Sequence, residues 1–239
     1  MEKRSIESNS KEELIIIGTS KTAIHVYEFV KYYDLFRVVA FAVDEEYMTG
    51  DSFLGLPLYP ISELSQIIDP NKVFVFVAML WNHLNADRRS VYNRVKGMGF
   101  KCANLISPTA IIRGNIIGDN CWFHDYTVVQ NDAIVESNIM AMAFSLIGAH
   151  AHVHSHCFLG AKCTVAGGCT VGEQTFVGIN STVFDDTQIG NKCIIGACTT
   201  VKRNMPDNSK WVTASDNFVI KQYDEGVIED KLISKLNVR

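Results

Sequence analysis

The sequence predicts a small parallel α/β domain followed by a long parallel β-helix, and three observations predict it. Residues 13–100 alternate short apolar runs with stretches of helical character. From residue 111 to Val201 an apolar side chain recurs at every sixth position, sixteen times without a slip. Two residues before most of these sites stands a small one, such as Thr127, Ala133, Ser145, Cys157 or Thr175. A fixed period of six arises when each repeat is one short strand and one corner, wound into a parallel β-helix.

Length and composition bound the function. A chain of 239 residues holds one or two domains and can bury a sizeable core. With 20% charged residues and a net charge of −4, the surface is not built for polyanions, so nucleic acid is not an expected partner. The opening "MEKRSIESNSKEEL" is polar, and there is no apolar run of about 18 residues. The expectation is a cytoplasmic protein without membrane insertion.

The front domain is read in order. "ELIIIG" gives a strand over 14–18, residues 21–33 a helix, and 37–43 a second strand that ends at Asp44 and Glu45. "FLGLPLYPISELSQII" reads as a loop into a short helix with Ser62 as its N-cap. "KVFVFVAM" is a third strand, and residues 86–97 form a helix. This βαββα order implies a parallel sheet with ligands beyond the carboxyl ends of its strands. The resulting domains are a flexible 1–12, an α/β unit over 13–104, the β-helix over 105–205, and a tail over 206–239. Val227, Ile228, Leu232, Ile233 and Leu236 fall at helical spacing, so the tail should carry a packed helix.

In the β-helix the sixfold residue and the small residue two before it share the interior, because residues two apart on a strand point the same way. Ile139 breaks the small rule where the sixfold site is only Ala141, a swap of large and small. Glycine follows the sixfold site seven times, from Gly118 to Gly196, which suits tight corners. Five of the seven cysteines (121, 157, 163, 169, 193) take the small interior position, so they read as buried apolar groups and not as a disulfide, metal or redox set. Phe144, Phe158, Phe176 and Phe184 lie beside the interior positions, and so many exposed aromatics imply burial between subunits.

Period and domain order together resemble the hexapeptide-repeat sugar acyltransferases of the sialic acid O-acetyltransferase and bacillosamine-pathway N-acetyltransferase type. "NLISPTAII", "FVGINSTV" and "IIGACTTVKRNMPDNS" carry the resemblance at the joint and the last coils. It implies a Rossmann-like front domain, a left-handed helix of three hexads per turn, a homotrimer, and acetyl-CoA as co-substrate without a metal. By the same resemblance Gly18 and Ser20 in "GTSKTA", with Asp44 and the adjacent Glu45, would hold a nucleotide-linked sugar, and Lys21, where the family has glycine, offers a point charge to a phosphate. Ile179 and Ala197 match cofactor positions, Phe158 stands where the bacillosamine-pathway enzyme carries a histidine, and the basic Lys202 and Arg203 on the last coil are candidates for the cofactor's phosphates.

"SLIGAHAHVHSHCFLG" sets His150, His152, His154 and His156 at alternate positions. On the period of six His152 and His154 flank Val153 and point outward, while His150 and His156 sit at corners. Four such rings fan around a corner and cannot all meet one ion. The resemblance places a general base at Ala149, one residue before His150. Residues 18 apart stack in neighbouring coils, which sets Asp132 beneath His150 and Glu136 beneath His154, and a carboxylate one coil away can orient an imidazole. His150 is the first candidate base and His154 the second, with His152 and His156 as surface or substrate-contacting groups. His25, His83 and His124 have no evident partner in the sequence.

The expected activity is acetyl transfer from acetyl-CoA to an amine on a nucleotide-linked deoxyamino sugar. Sugar O-acetylation and a non-catalytic sugar-nucleotide-binding subunit are the alternatives. Thiol release from acetyl-CoA in the presence of candidate sugars separates them.

Overall fold

The computed structural model describes residues 11–212, and the tail helix expected over 225–236 lies outside them. The front domain runs β1 (Glu13–Ile17), α1 (Lys21–Tyr32), β2 (Arg37–Val43), β3 (Ser52–Phe53), β4 (Leu56–Pro60), α2 (Leu64–Ile67), β5 (Phe74–Val77), α3 (Ala86–Gly97) and β6 (Lys101–Cys102). Its sheet has the order β3-β4-β2-β1-β5-β6, parallel except for the β3–β4 hairpin. Strand β1 is buried on both sides. Leu14 and Ile16 pack with α1 residues such as Val26 and Phe29, while Ile15 and Ile17 pack with Tyr92 and Val95 of α3.

Two local expectations are corrected. The stretch read as a loop contains the β3–β4 hairpin, turned by Leu54 (φ 49°) and Gly55 (φ 77°). A two-residue turn with both φ positive usually announces itself by Asn or Asp, and leucine there hides it. Ser62 caps no helix: it sits within a short 3₁₀ turn (Ile61–Glu63) and its hydroxyl donates to Glu45 at 2.7 Å.

Beyond β6 the chain winds into a left-handed parallel β-helix of two-residue strands stacked on three faces. The first face begins at Leu105–Ile106 and ends at Lys210–Trp211, the second runs from Ile111–Ile112 to Thr200–Val201, and the third from Asn115–Ile116 to Gln188–Ile189. From Phe123 onward the sixfold residues and their small partners form one interior ladder, all but completely buried. The cysteines of that ladder are inert by burial, which pushes the thiols of Cys121, Cys157 and Cys163 up to about 12.

The first coil departs from the period. Ile111 and Ile117 are 52% and 67% exposed, and Ile112 and Ile116 face the interior in their place. Pairing of Ile112 with Val129 and of Ile116 with Val135 fixes this shift. Ile116 follows Ile112 by four positions and not six, so the corner at Arg113–Gly114 is short and the strict spacing slips by one.

The corner glycines also have a different reason from the expected one. Positive φ falls three residues after the interior site at every corner from Tyr126 to Cys198, and only Gly168 among these is glycine. The glycine beside the interior residue has ordinary φ and is needed for close approach: a Cβ on Gly172 would stand 2.5 Å from the carbonyl carbon of Gly190 in the next coil.

The two halves share a core. Outward-facing Trp122, Met140 and Phe158 of the first face are buried against Phe29, Phe41 and Phe76 of the front domain. Phe158 and Phe176, expected to be exposed, therefore pack in the contact between the halves, whereas Phe144 and Phe184 remain about half exposed.

Candidate active site

Two features carry chemistry, and the first is a cavity of about 520 Å³ at the carboxyl ends of β1, β2 and β5. Gly18 ends β1 with φ 125°, a conformation that L side chains rarely adopt, and its N–H donates to Ala42 at 2.7 Å. Ser20 then caps α1 by accepting the Thr22 N–H at 3.2 Å. The cavity thus faces the amino end of a twelve-residue helix, where free N–H groups and the helix dipole favour an anion. Gly18, Ser20 and Asp44 line it, while Lys21 is exposed beyond the lining and Glu45 turns toward Ser62. Asp44 is held by Arg94, whose Nη2 lies 2.7 and 2.9 Å from the two carboxylate oxygens.

Trp81 and Arg88 line the same cavity and connect it to the β-helix. The Trp81 ring meets Phe158 edge-on at 4.8 Å, and Phe158 stacks on Phe176 at 5.2 Å. Phe158, expected to touch the cofactor, is 4% exposed beneath this tryptophan. Arg88 is wholly buried and donates to the carbonyls of Leu80, Asn138, His156 and Cys157 and to the side-chain oxygens of Asn85 and Asn138. Burial lowers its pKa to about 10, so it stays charged at neutral pH. Neither residue stands out in the sequence, since "WNHLNADRRS" reads as an ordinary approach to a helix.

The second feature is the histidine-bearing corner. His150 (φ 59°) and Asp132 stack as expected, but both side chains are 72% exposed and stand 3.8 Å apart. His154 meets Glu136 as expected, Nδ1 to Oε1 at 2.9 Å. His152 joins them, its Nε2 2.9 Å from the same oxygen, and its ring stacks on that of His154 at 4.0 Å. Glu136 Oε2 accepts the Ser155 N–H at 3.0 Å and its hydroxyl at 2.8 Å. Burial alone would raise the Glu136 pKa, but the Ser155 and His152 hydrogen bonds and the nearby His154 outweigh it and lower the value, so the group is a carboxylate.

His156 is the correction. Expected as a surface or substrate-contacting group, it is 6% exposed and so not a surface side chain, enclosed between α3 and the β-helix with its ring edge-on to Tyr92. Asn138 Nδ2 donates to its Nδ1 at 2.9 Å, leaving Nε2 toward Glu173 at 3.7 Å. Burial, helped by Arg89 and Arg88, lowers its pKa to about 4. The other histidines also find partners: His83 meets Asp87 at 2.9 Å, and His124 accepts the Asp125 N–H at 2.7 Å while its Nε2 lies 3.2 Å from His25 Nε2.

Of the expected cofactor positions, Ile179 is 52% exposed, Ala197 is exposed at the equivalent corner one coil on, and Lys202 and Arg203 are exposed after the last strand of the second face. Lys202 Nζ lies 5.6 Å from the centre of the Phe184 ring. No helix among the described residues is long and apolar enough to cross a membrane.

Comparison with known proteins places this architecture. Residues 168–203 match the family model for the bacterial transferase hexapeptide (six repeats). The acetyltransferase domain of PglB from Neisseria gonorrhoeae, in complex with acetyl coenzyme A, is 20% identical with a TM-score of 0.73, over 84% of this chain and 95% of that one. PerB from Caulobacter crescentus, in complex with CoA and GDP-perosamine, is 23% identical with a TM-score of 0.72, over 83% and 92%. WeeI from Acinetobacter baumannii is 15% identical with a TM-score of 0.70, over 83% and 95%. The shared fold therefore takes in the front domain and the hexapeptide β-helix together.

Proposed function

We propose that this chain is an acetyl-CoA-dependent N-acetyltransferase whose acceptor is an amine on a nucleotide-linked deoxyamino sugar. The observation that carries the reading is the cavity of about 520 Å³ at the amino end of α1, built against a hexapeptide β-helix that bears oriented imidazole–carboxylate pairs. Two solved structures of the same fold support it, one described with CoA and GDP-perosamine and one with acetyl coenzyme A.

The front domain, 13–104, holds the nucleotide. Gly18 lets the chain pass close to its phosphates, Ser20 presents a backbone N–H to them, Asp44 accepts from its sugar hydroxyls, and Trp81 gives a flat apolar wall. The β-helix, 105–205, carries acyl transfer. The acceptor nitrogen attacks the thioester carbonyl and a histidine takes the proton that nitrogen loses. The tetrahedral centre then collapses, the C–S bond breaks, and CoA leaves as the thiolate. Holding both substrates in line and removing one proton are the protein's main tasks, and no covalent enzyme intermediate is needed.

For the base, geometry favours His154 over His150. A base must be held and its positive charge stabilised, and Glu136, itself fixed by Ser155, does both at 2.9 Å. His150 and Asp132 are 3.8 Å apart in open solvent. Acetyl-CoA lies along the exposed corner of Ile179 and Ala197, with its phosphates toward Lys202 and Arg203. Assembly as a homotrimer covers this surface, where Phe144 stacks on Tyr126 at 4.9 Å and Phe184 is 47% exposed. Such an enzyme works where acetyl-CoA and nucleotide sugars are made, in the cytoplasm.

The test is thiol release from acetyl-CoA with a panel of nucleotide-linked amino sugars and their hydroxyl counterparts. Release with at least one amine, and amide formation seen by mass spectrometry, is expected. Release only with a hydroxyl acceptor points to O-acetylation, and release with neither overturns the enzymatic reading. Light scattering should give three chains per particle.

A further inference from the structure

We propose that Glu136, His152 and His154 form a binding site for a transition-metal dication of the zinc type. The site goes beyond the acetyl-transfer reading and does not depend on it.

The argument begins with placement. His152 is the outward residue of the strand His152–Val153, and His154 follows two positions later on the same side of the chain. Glu136 reaches both from the coil below, where Ile134 pairs with His152 and Val135 with Val153. One ligand atom from each side chain, a ring nitrogen of His152, a ring nitrogen of His154 and a Glu136 oxygen, lies within 4.8 Å of the other two. Both nitrogens are 2.9 Å from the same Oε1. Tetrahedral bonds of about 2.0–2.2 Å put ligand atoms about 3.3–3.6 Å apart, so each nitrogen needs to withdraw from the shared oxygen by only a few tenths of an ångström.

The donor set selects the ion. Two imidazoles and one carboxylate suit Zn²⁺, Co²⁺, Ni²⁺ or Cu²⁺, while Mg²⁺ and Ca²⁺ prefer oxygen alone. A carboxylate that ligates through one oxygen is usually fixed through the other, and Ser155 supplies that fixation with its N–H at 3.0 Å and its hydroxyl at 2.8 Å. All three side chains are 27–35% exposed, which leaves a path for entry and room for water in the remaining positions. The carboxylate offsets part of the ion's charge, and the stacked rings already hold their planes 26° apart. With both nitrogens on an ion, His154 has no lone pair for a proton, so the ion-bound and proton-accepting states exclude each other.

Binding is measured on the full chain without acetyl-CoA or sugar. Zn²⁺ is titrated by calorimetry after chelator treatment and desalting, and Co²⁺ by its visible absorption. One ion per chain is expected, with a Co²⁺ spectrum of four- or five-coordinate type. His152→Ala, His154→Ala and Glu136→Gln should each weaken Zn²⁺ binding at least tenfold, Ser155→Ala should weaken it less, and His150→Ala should leave it unchanged. Circular dichroism confirms that each variant is folded. Absence of Zn²⁺ uptake by the wild type, or uptake that neither histidine variant weakens, overturns the site. Thiol release plays no part in this readout, so failure here and failure of the acetyl-transfer reading are separate results.

Discussion

Arg88 and Asn138 join the two halves of the molecule: the guanidinium Nε donates to the amide oxygen at 3.1 Å, and Nη2 donates to the backbone carbonyl of the same residue at 3.2 Å. All the hydrogen-bond partners of this buried arginine among the described residues are carbonyl or amide oxygens. The charge is thus stabilised by dipoles at the corners of the β-helix. Removing the guanidinium strands several buried acceptors at once.

Arg88→Ala should accordingly lower stability by at least about 3 kcal/mol, the range seen when a buried charged network is broken. Arg88→Lys should recover little, because one ammonium cannot span the fan of acceptors that a planar fork serves. Urea denaturation followed by circular dichroism checks both. A change of less than about 1 kcal/mol for the alanine variant would show that the shared apolar core alone joins the halves.

His156 gives a pH prediction. Its folded-state pKa of about 4 lies below the ordinary 6.5, and burial is the first cause. On acidification the unfolded chain takes up the proton first. The contribution of His156 is therefore complete above about pH 6.5 and is lost as pH falls toward 4, with a slope of up to about 1.4 kcal/mol per pH unit for one proton. Glu136 and Asp125, whose pKa values are lowered, also lose stability in acid, so the informative quantity is a difference. Between pH 7 and 4.5 the melting temperature of His156→Gln should fall less than that of the wild type. Parallel curves would mean that the buried ring does not titrate in this window.

How much of this was legible in the sequence follows from what each signal measures. The period of six reports which residues face the interior, so the β-helix, its cysteine ladder and the stacking of His154 on Glu136 were all readable. The period does not report what covers the outside. His156 and Phe158 sit at outward positions that the front domain happens to bury, and nothing local to either residue says so. Arg88 and Trp81 lie in a segment whose pattern is an ordinary helix start, yet the contacts that join them to the β-helix are with residues 50 to 95 positions away. The sequence does carry one signal of this contact: Asn120, Asn138, His156 and Gln174 recur every 18 residues, a column of polar groups that is buried between the halves.

The glycines beside the interior ladder give a contrast within one residue type. A Cβ on Gly172 would lie 2.5 Å from backbone of the next coil, whereas one at Gly97 meets nothing within 4 Å. Gly172→Ala should force the coils apart and cost more than about 2 kcal/mol, as overpacking against backbone does. Gly97→Ala, at the end of α3, should be neutral or stabilise by up to about 1 kcal/mol through the unfolded chain. Thermal melts of the two variants test the pair. Equal effects would mean that the coils yield to the added methyl and that close approach does not govern these positions.

The last prediction concerns the proton acceptor in acetyl transfer. A base of this kind contributes about 10² to 10⁴ in rate, while an exposed imidazole without a role contributes nothing measurable. His154→Ala should lower kcat at least about a hundredfold and leave the KM for acetyl-CoA near its wild-type value, since the ring acts on the acceptor. Glu136→Gln keeps the shape and the Ser155 contacts but removes the charge that orients His154 and stabilises its protonated form, so its loss should be smaller, about tenfold. His150→Ala should stay within about fivefold, because Asp132 stands 3.8 Å away in open solvent and does not hold that ring. Steady-state kinetics on an amine acceptor that supports thiol release decides among them. If His150→Ala causes the large loss and His154→Ala the small one, the base is the corner histidine, and burial by a neighbouring subunit must supply the environment that the single chain does not give it. If neither loss exceeds about fivefold, the acceptor amine arrives already deprotonated, and the imidazoles of this corner take no part in moving the proton.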